Sequence, residues 1–122
     1  MSKNLKKIAK TISVADYISY RDFFAAIYVK LKKSESSYSY IKYSESLGLS
    51  NSNVSWLIIT GRRVLSPANT RKVISTLNLT GFSRIYFETM VKYENERSPQ
   101  KREQYFKKLT EEIGRASCRE KV

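Results

Sequence analysis

Histidine is absent from the 122 residues, cysteine occurs once, at Cys118, and there are 11 acidic residues against 23 lysines and arginines. The missing histidine excludes histidine-dependent general base catalysis, Cys–His nucleophile pairs and every ordinary zinc cluster. Tyrosines and carboxylates are present, but no acid–base constellation can be assembled from them. The expectation is therefore a protein that is not an enzyme and holds no metal or other cofactor. A single cysteine argues against a disulfide scaffold and suits a reducing cytoplasm, the expected location. The N-terminal lysines are followed by no continuous apolar run, so neither a signal peptide nor a membrane span is expected. Strand alternation, a convincing repeat and a glycine-rich phosphate loop are also missing.

What the chain does have is positive charge and aromatic residues. The formal net charge is +12, with nine tyrosines, five phenylalanines and one tryptophan. That is enough apolar material for a modest core. A basic excess of this size favours an anionic partner, nucleic acid ahead of a membrane surface. Leu5, Ile8 and Ile12 could form a short amphipathic turn, the one feature that bears on a membrane surface.

Helical spacing recurs along the chain. Tyr20, Phe23, Phe24, Ile27, Tyr28 and Leu31 fall at i, i+3, i+4, i+7, i+8 and i+11, one face of a helix capped by Ser19. Ser39 caps a second helix, with Tyr40, Tyr43, Ser44 and Leu47 on one side and Gly48 at its end. Ser50 is placed to cap a third, with Val54, Leu57 and Ile58 inward and Gly61 as its stop. Ser66 and Pro67 open a fourth, which buries Val73, Ile74 and Leu77. Thr80 or Gly81 opens a fifth, with Ile85, Tyr86, Met90 and Tyr93 near one face and Phe87 and Val91 beside it. Ser98 and Pro99 begin a sixth, carrying Tyr105, Phe106 and Leu109. The fold class this predicts is all-α, a compact bundle of five to six short helices containing a helix-turn-helix.

The helix-turn-helix expectation rests on the stretch around Gly48. Two short helices meeting at a steep angle need a left-handed corner residue, which glycine supplies. They also need a small residue where they cross, here Ser44, and apolar residues after the corner, here Leu49, Val54 and Leu57. Read as a DNA-binding element, the second helix of the pair enters the major groove with its N-terminal residues at the base edges. The candidate contact residues are Ser50, Asn51, Ser52, Ser55, Trp56 and Ile59. Arg62 and Arg63 at the end of that helix, and Lys42 on the preceding one, are candidates for phosphates. The expected partner is double-stranded DNA, with a homodimer in the full-length protein and no membrane. The alternative is a helical protein–protein interaction module that does not touch DNA.

The stretches "DYISYRDFF", "YSYIKYSESLGLS", "GRRVLSP", "LNLTG" and "YFETMV" resemble, in order and spacing, the N-terminal region of a bacterial paralogous family. That family carries a lambda-repressor-like helix-turn-helix followed by a helical domain of unknown function, and is described as transcriptional regulators. The resemblance runs from Asp16 to Val91. It implies regulation rather than catalysis. Phe82, Ser83 and Ile85 depart from the acidic stretch usual before Tyr-Phe, and Ile41 stands where the family tends to have arginine.

The expected organisation is an N-terminal extension over 1–16, the helix-turn-helix domain over 17–97 and the start of a further helical region over 98–111. Residues 112–122 resemble the translation of a widely used DNA-sequencing adapter, from which only Lys121 departs. On that reading the natural chain continues past Glu111 with other residues.

Overall fold

Serine caps set the helix starts. The Ser19 hydroxyl accepts the Arg21 amide, Ser39 accepts that of Lys42 and Ser66 accepts that of Asn69, at 3.1–3.2 Å. Each serine thereby satisfies an amide that has no partner inside its helix. The computed structural model describes the backbone of residues 3–49 and 53–120 and the side chains of residues 5–49 and 53–111. Among the described residues there are seven α-helices. They are α1 (Lys3–Lys10), α2 (Tyr20–Ser34), α3 (Tyr40–Ser46), α4 (Val54–Ile59), α5 (Pro67–Thr76), α6 (Gly81–Asn95) and α7 (Pro99–Glu120), with a 3-10 turn at Val14–Asp16. The all-α class is as expected, with one helix more at the N-terminus.

Three helix ends share one device. After α3, the Leu49 amide returns to the Ser44 carbonyl and the Gly48 amide to Glu45. After α4, Arg62 returns to Leu57 and Gly61 to Ile58, and after α5, Leu79 returns to Ile74 and Asn78 to Ser75. These paired bonds are Schellman motifs, which need a left-handed residue at C′. Gly48 at φ +83° and Asn78 at φ +55° supply it. At Gly48 space is limiting as well, because an added Cβ would lie 2.9 Å from Thr76 Oγ1 on α5.

The core is aromatic at its centre. Phe23 and Phe24 of α2 meet Phe87 of α6, with ring centroids 6.0 Å apart in both pairs. Tyr43 of α3 is fully buried and donates its hydroxyl to the Phe24 carbonyl at 2.7 Å. From the other end, Tyr86 donates to the Tyr17 carbonyl. The described part of the expected N-terminal extension, residues 3–16, packs onto the rest of the described chain. Leu5 of α1, and Ile12 and Val14 after it, are buried in the same core. Leu57, expected inward on α4, is only half-buried and is not among the hydrophobic residues packed against the core, a place that Ile59 takes. Two residues grouped with apolar faces are at the surface. Ile85 is exposed on α6, and Phe106 is exposed on α7, although its ring lies 5.7 Å from that of Tyr93. The third helix begins at Val54, later than a Ser50 cap would start it, and Ser50 itself lies outside the described residues. The backbone of α7 is helical without a break at residue 112.

Burial of the phenols makes the fold sensitive to alkali. Burial, with Asp16 adding to it, pushes the Tyr86 phenol from 10.0 up to about 12, and burial raises Tyr20, Tyr38 and Tyr43. The folded chain then holds these protons more tightly than the unfolded one, so their contribution is complete below the unfolded value. It is lost as pH rises through the folded values. Urea midpoints should be level up to pH ~9 and fall steeply between about 10 and 12, with a shallower fall in Tyr86→Phe. A midpoint that stays level across that window would contradict the burial of these groups.

Candidate functional site

The corner between α3 and α4 is built on two serines. Ser44 and Ser55 are 0% and 2% exposed, and their hydroxyl oxygens are 2.9 Å apart. The Ser55 amide donates to Ser44 Oγ at 2.9 Å, and the Ser55 hydroxyl donates to the Tyr40 carbonyl at 2.8 Å. Ser44 Oγ also lies 2.9 Å from that carbonyl. Both buried hydroxyls and the Ser55 amide have partners, so two short helices can approach closely without leaving these groups unpaired. Val54, Ile58 and Leu47 close the apolar side of the corner.

This geometry corrects two expected contact residues. Ser55 was expected at a base edge but is spent inside the crossing, because a small residue at 44 needs a small partner on the opposing helix. Ile59 is half-buried and packs against the core. Its side chain supports α4 instead of standing out from it. Ser50, Asn51 and Ser52 lie outside the described residues.

The remaining expected residues are at the surface. Lys42 is exposed on α3, and Arg62 and Arg63 are exposed just after α4. Trp56 is half-buried, and the Arg62 guanidinium sits over its ring, 5.2 Å from the centroid. That contact restricts a long flexible cation and leaves its charge at the surface. Asn53, exposed as the N-cap of α4, makes no side-chain capping bond. Sequence reasoning passed over Asn53, although an asparagine immediately before the apolar Val54 is a helix-start signal.

It also passed over the residues that hold the basic loop. Arg21 of α2 donates through Nη1 to the Ile58 carbonyl and, at 2.9 Å, to the Arg63 carbonyl. Its Nε lies 2.8 Å from Glu94 Oε2 on α6, and Glu94 Oε1 accepts the Tyr20 amide at 3.0 Å. One guanidinium therefore joins α2, α6 and the end of α4, where the helix dipole favours a cation. Beside it, the Leu65 amide donates to the Tyr20 hydroxyl at 3.1 Å, which donates to Asn95 Oδ1 at 2.7 Å. Asn95 Nδ2 returns to the Leu65 carbonyl at 2.9 Å. The segment carrying Arg62 and Arg63 is thus pinned at both ends.

An open groove of about 760 Å³ runs between α5, α6 and α7 past Leu65, Ile74 and Val91. Among the described residues no helix is long and apolar enough to cross a membrane. No family model, curated protein or solved structure matches the chain.

Proposed function

We propose that the chain is a DNA-binding regulator of the helix-turn-helix type, docking the helix after Gly48 in the major groove and gripping phosphates with its basic side chains. The observation that carries this reading is the corner itself. Two separate short helices cross at Ser44 and Ser55, and a basic segment leaves the second one held by Arg21. In such an element affinity comes mostly from cations on phosphates, and base edges add specificity. Arg62, Arg63 and Lys42 supply the cations, and Asn53 and Trp56 the groups nearest a base. The net charge of +12 favours the same partner. Ser50, Asn51 and Ser52, which precede Asn53 in the sequence, remain part of the proposal. The resemblance to bacterial regulators, a homodimer on two half-sites about one DNA turn apart and a cytoplasmic location belong to the same reading.

The test is duplex binding followed by fluorescence anisotropy over a salt series. Arg62→Ala with Arg63→Ala should weaken binding and lower the salt slope by about two, roughly one per lost phosphate contact. The fold should survive, because both side chains are exposed and the backbone carbonyl at position 63 still receives Arg21. Unchanged affinity and slope would defeat the proposal.

A second reading, a helical protein-interaction module, is favoured by one observation. Ile41 on α3 and Val64 beyond α4 are apolar yet 49% and 57% exposed. Ile41→Ser with Val64→Ser should leave duplex binding intact under the first reading and abolish partner binding under the second.

A further inference from the structure

The helix α1 has a role in the core that leaves its lysines unexplained. Its apolar side is spent, since Leu5 is 1% exposed and Ile8 is half-buried against the core. Its other side presents Lys6, Lys7 and Lys10, all exposed. The end of α1 lies against the later half of α2, where Lys30 Nζ is 3.3 Å from Thr11 Oγ1. Lys30 and Lys33 on α2 are exposed as well, so two helices packed on each other carry five exposed lysines. The acid bordering these lysines in sequence is Glu35, the C-cap of α2. The ion pairs found among the described residues are Arg21–Glu94 and Arg84–Glu88, so none of the five lysines has a carboxylate of a described residue within 4 Å.

Like charges spaced three or four apart on a helix, as Lys6 and Lys10 or Lys30 and Lys33 are, destabilise it. A helix C-terminus carries only about half a negative charge, which one cation satisfies at each of the two ends. Among the described residues no carboxylate pairs with the rest of the cluster. Because the apolar side of α1 is already buried, the helix has no free face to insert into a bilayer, as an interfacial helix would.

We propose that the α1–α2 lysine face is a second phosphate-contacting surface, which adds nucleic-acid backbone contacts to those of the α3–α4 corner. The inference rests on the reading of the chain as a DNA-binding protein. It assigns to Lys6, Lys7, Lys10, Lys30 and Lys33 affinity without sequence preference.

The test uses the full chain and a mixed-sequence duplex several helical turns long, in the same salt series. Lys6→Gln, Lys7→Gln and Lys10→Gln together keep helix propensity and remove three charges. The salt slope should fall by about three, and the corresponding triple change to arginine should restore it. Far-ultraviolet circular dichroism should match wild type in both. An unchanged slope in the glutamine variant, alongside a lowered slope in Arg62→Ala with Arg63→Ala, overturns this inference and leaves the proposed function standing. No binding of the duplex by the wild-type chain overturns both. Charge-dependent binding to phosphatidylserine vesicles, with the duplex slope unmoved, also overturns it in favour of a membrane surface.

Discussion

Ser55→Glu should fail to fold to the native state under conditions where Ser55→Ala does fold. The glutamate would bring a longer side chain and a charge into a crossing where the native residue is 2% exposed and its hydroxyl already bonds the Tyr40 carbonyl. Among the described residues the Ser55 hydroxyl meets Ser44 Oγ and the Tyr40 carbonyl, two oxygens and no cation. A buried, unpaired carboxylate with overpacking costs about 4 kcal/mol or more, a large part of the roughly 5–15 kcal/mol that holds a domain together. Alanine removes one hydroxyl whose acceptor still has Ser44 nearby, so its cost is about 1 kcal/mol. Urea unfolding followed by circular dichroism separates the two. A wild-type midpoint for Ser55→Glu would mean that residue 55 stands at the surface, as the sequence alone suggested. Because this variant loses the fold, its loss of DNA binding is uninformative about the groove. The exposed Arg62 and Arg63 are the positions that probe contact directly.

The parts of the fold that were readable in advance are those decided within a few residues. Ser19, Ser39 and Ser66 cap because each needs only an amide two or three positions ahead. Gly48 ends α3 because a left-handed residue there closes two local bonds. The small residue at 44 was likewise legible. Its counterpart at 55 was missed, because the spacing argument asks what the first helix offers and not what it meets. Asn78 does at the end of α5 what glycine does at the other two ends, and asparagine signals that position more faintly. Arg21 was out of reach altogether. On the sequence it is one polar residue on the outer side of an amphipathic helix. Its acceptors lie 37 and 42 residues along the chain, and only the packing of α2 against α4 and α6 makes them neighbours. The burial of α1 was obscured in the same way, since Leu5 and Ile12 read as a short turn until α2 lies beside them.

Arg21→Ala should be the most damaging change at a residue that no candidate contact includes. The side chain is 20% exposed, and that of its partner Glu94 is 16% exposed, so neither charge is well served by water once the other is gone. The variant loses a charge-assisted bond to the Arg63 carbonyl and another to Ile58, and it leaves the Glu94 carboxylate with only the Tyr20 amide. Bonds of that kind contribute roughly 1.5–3 kcal/mol each when formed, and partial solvent access lowers the sum, so a loss of about 3 kcal/mol is expected. Arg21→Lys should recover little. A single ammonium cannot hold the geometry in which one planar group reaches two carbonyls and a carboxylate. Glu94→Gln should cost less, about 1 kcal/mol, because the guanidinium keeps its carbonyl partners. Combining Arg21→Ala with Glu94→Gln should cost less than the sum of the two, the mark of a direct pair. If the proposed function holds, duplex affinity measured well below the unfolding midpoint should drop with Arg21→Ala while the salt slope keeps its value. The phosphate-facing charges of Arg62 and Arg63 remain, but the segment carrying them is no longer held. A slope that falls by one would instead make Arg21 a phosphate contact, and a wild-type midpoint would show that the guanidinium does not hold the end of α4.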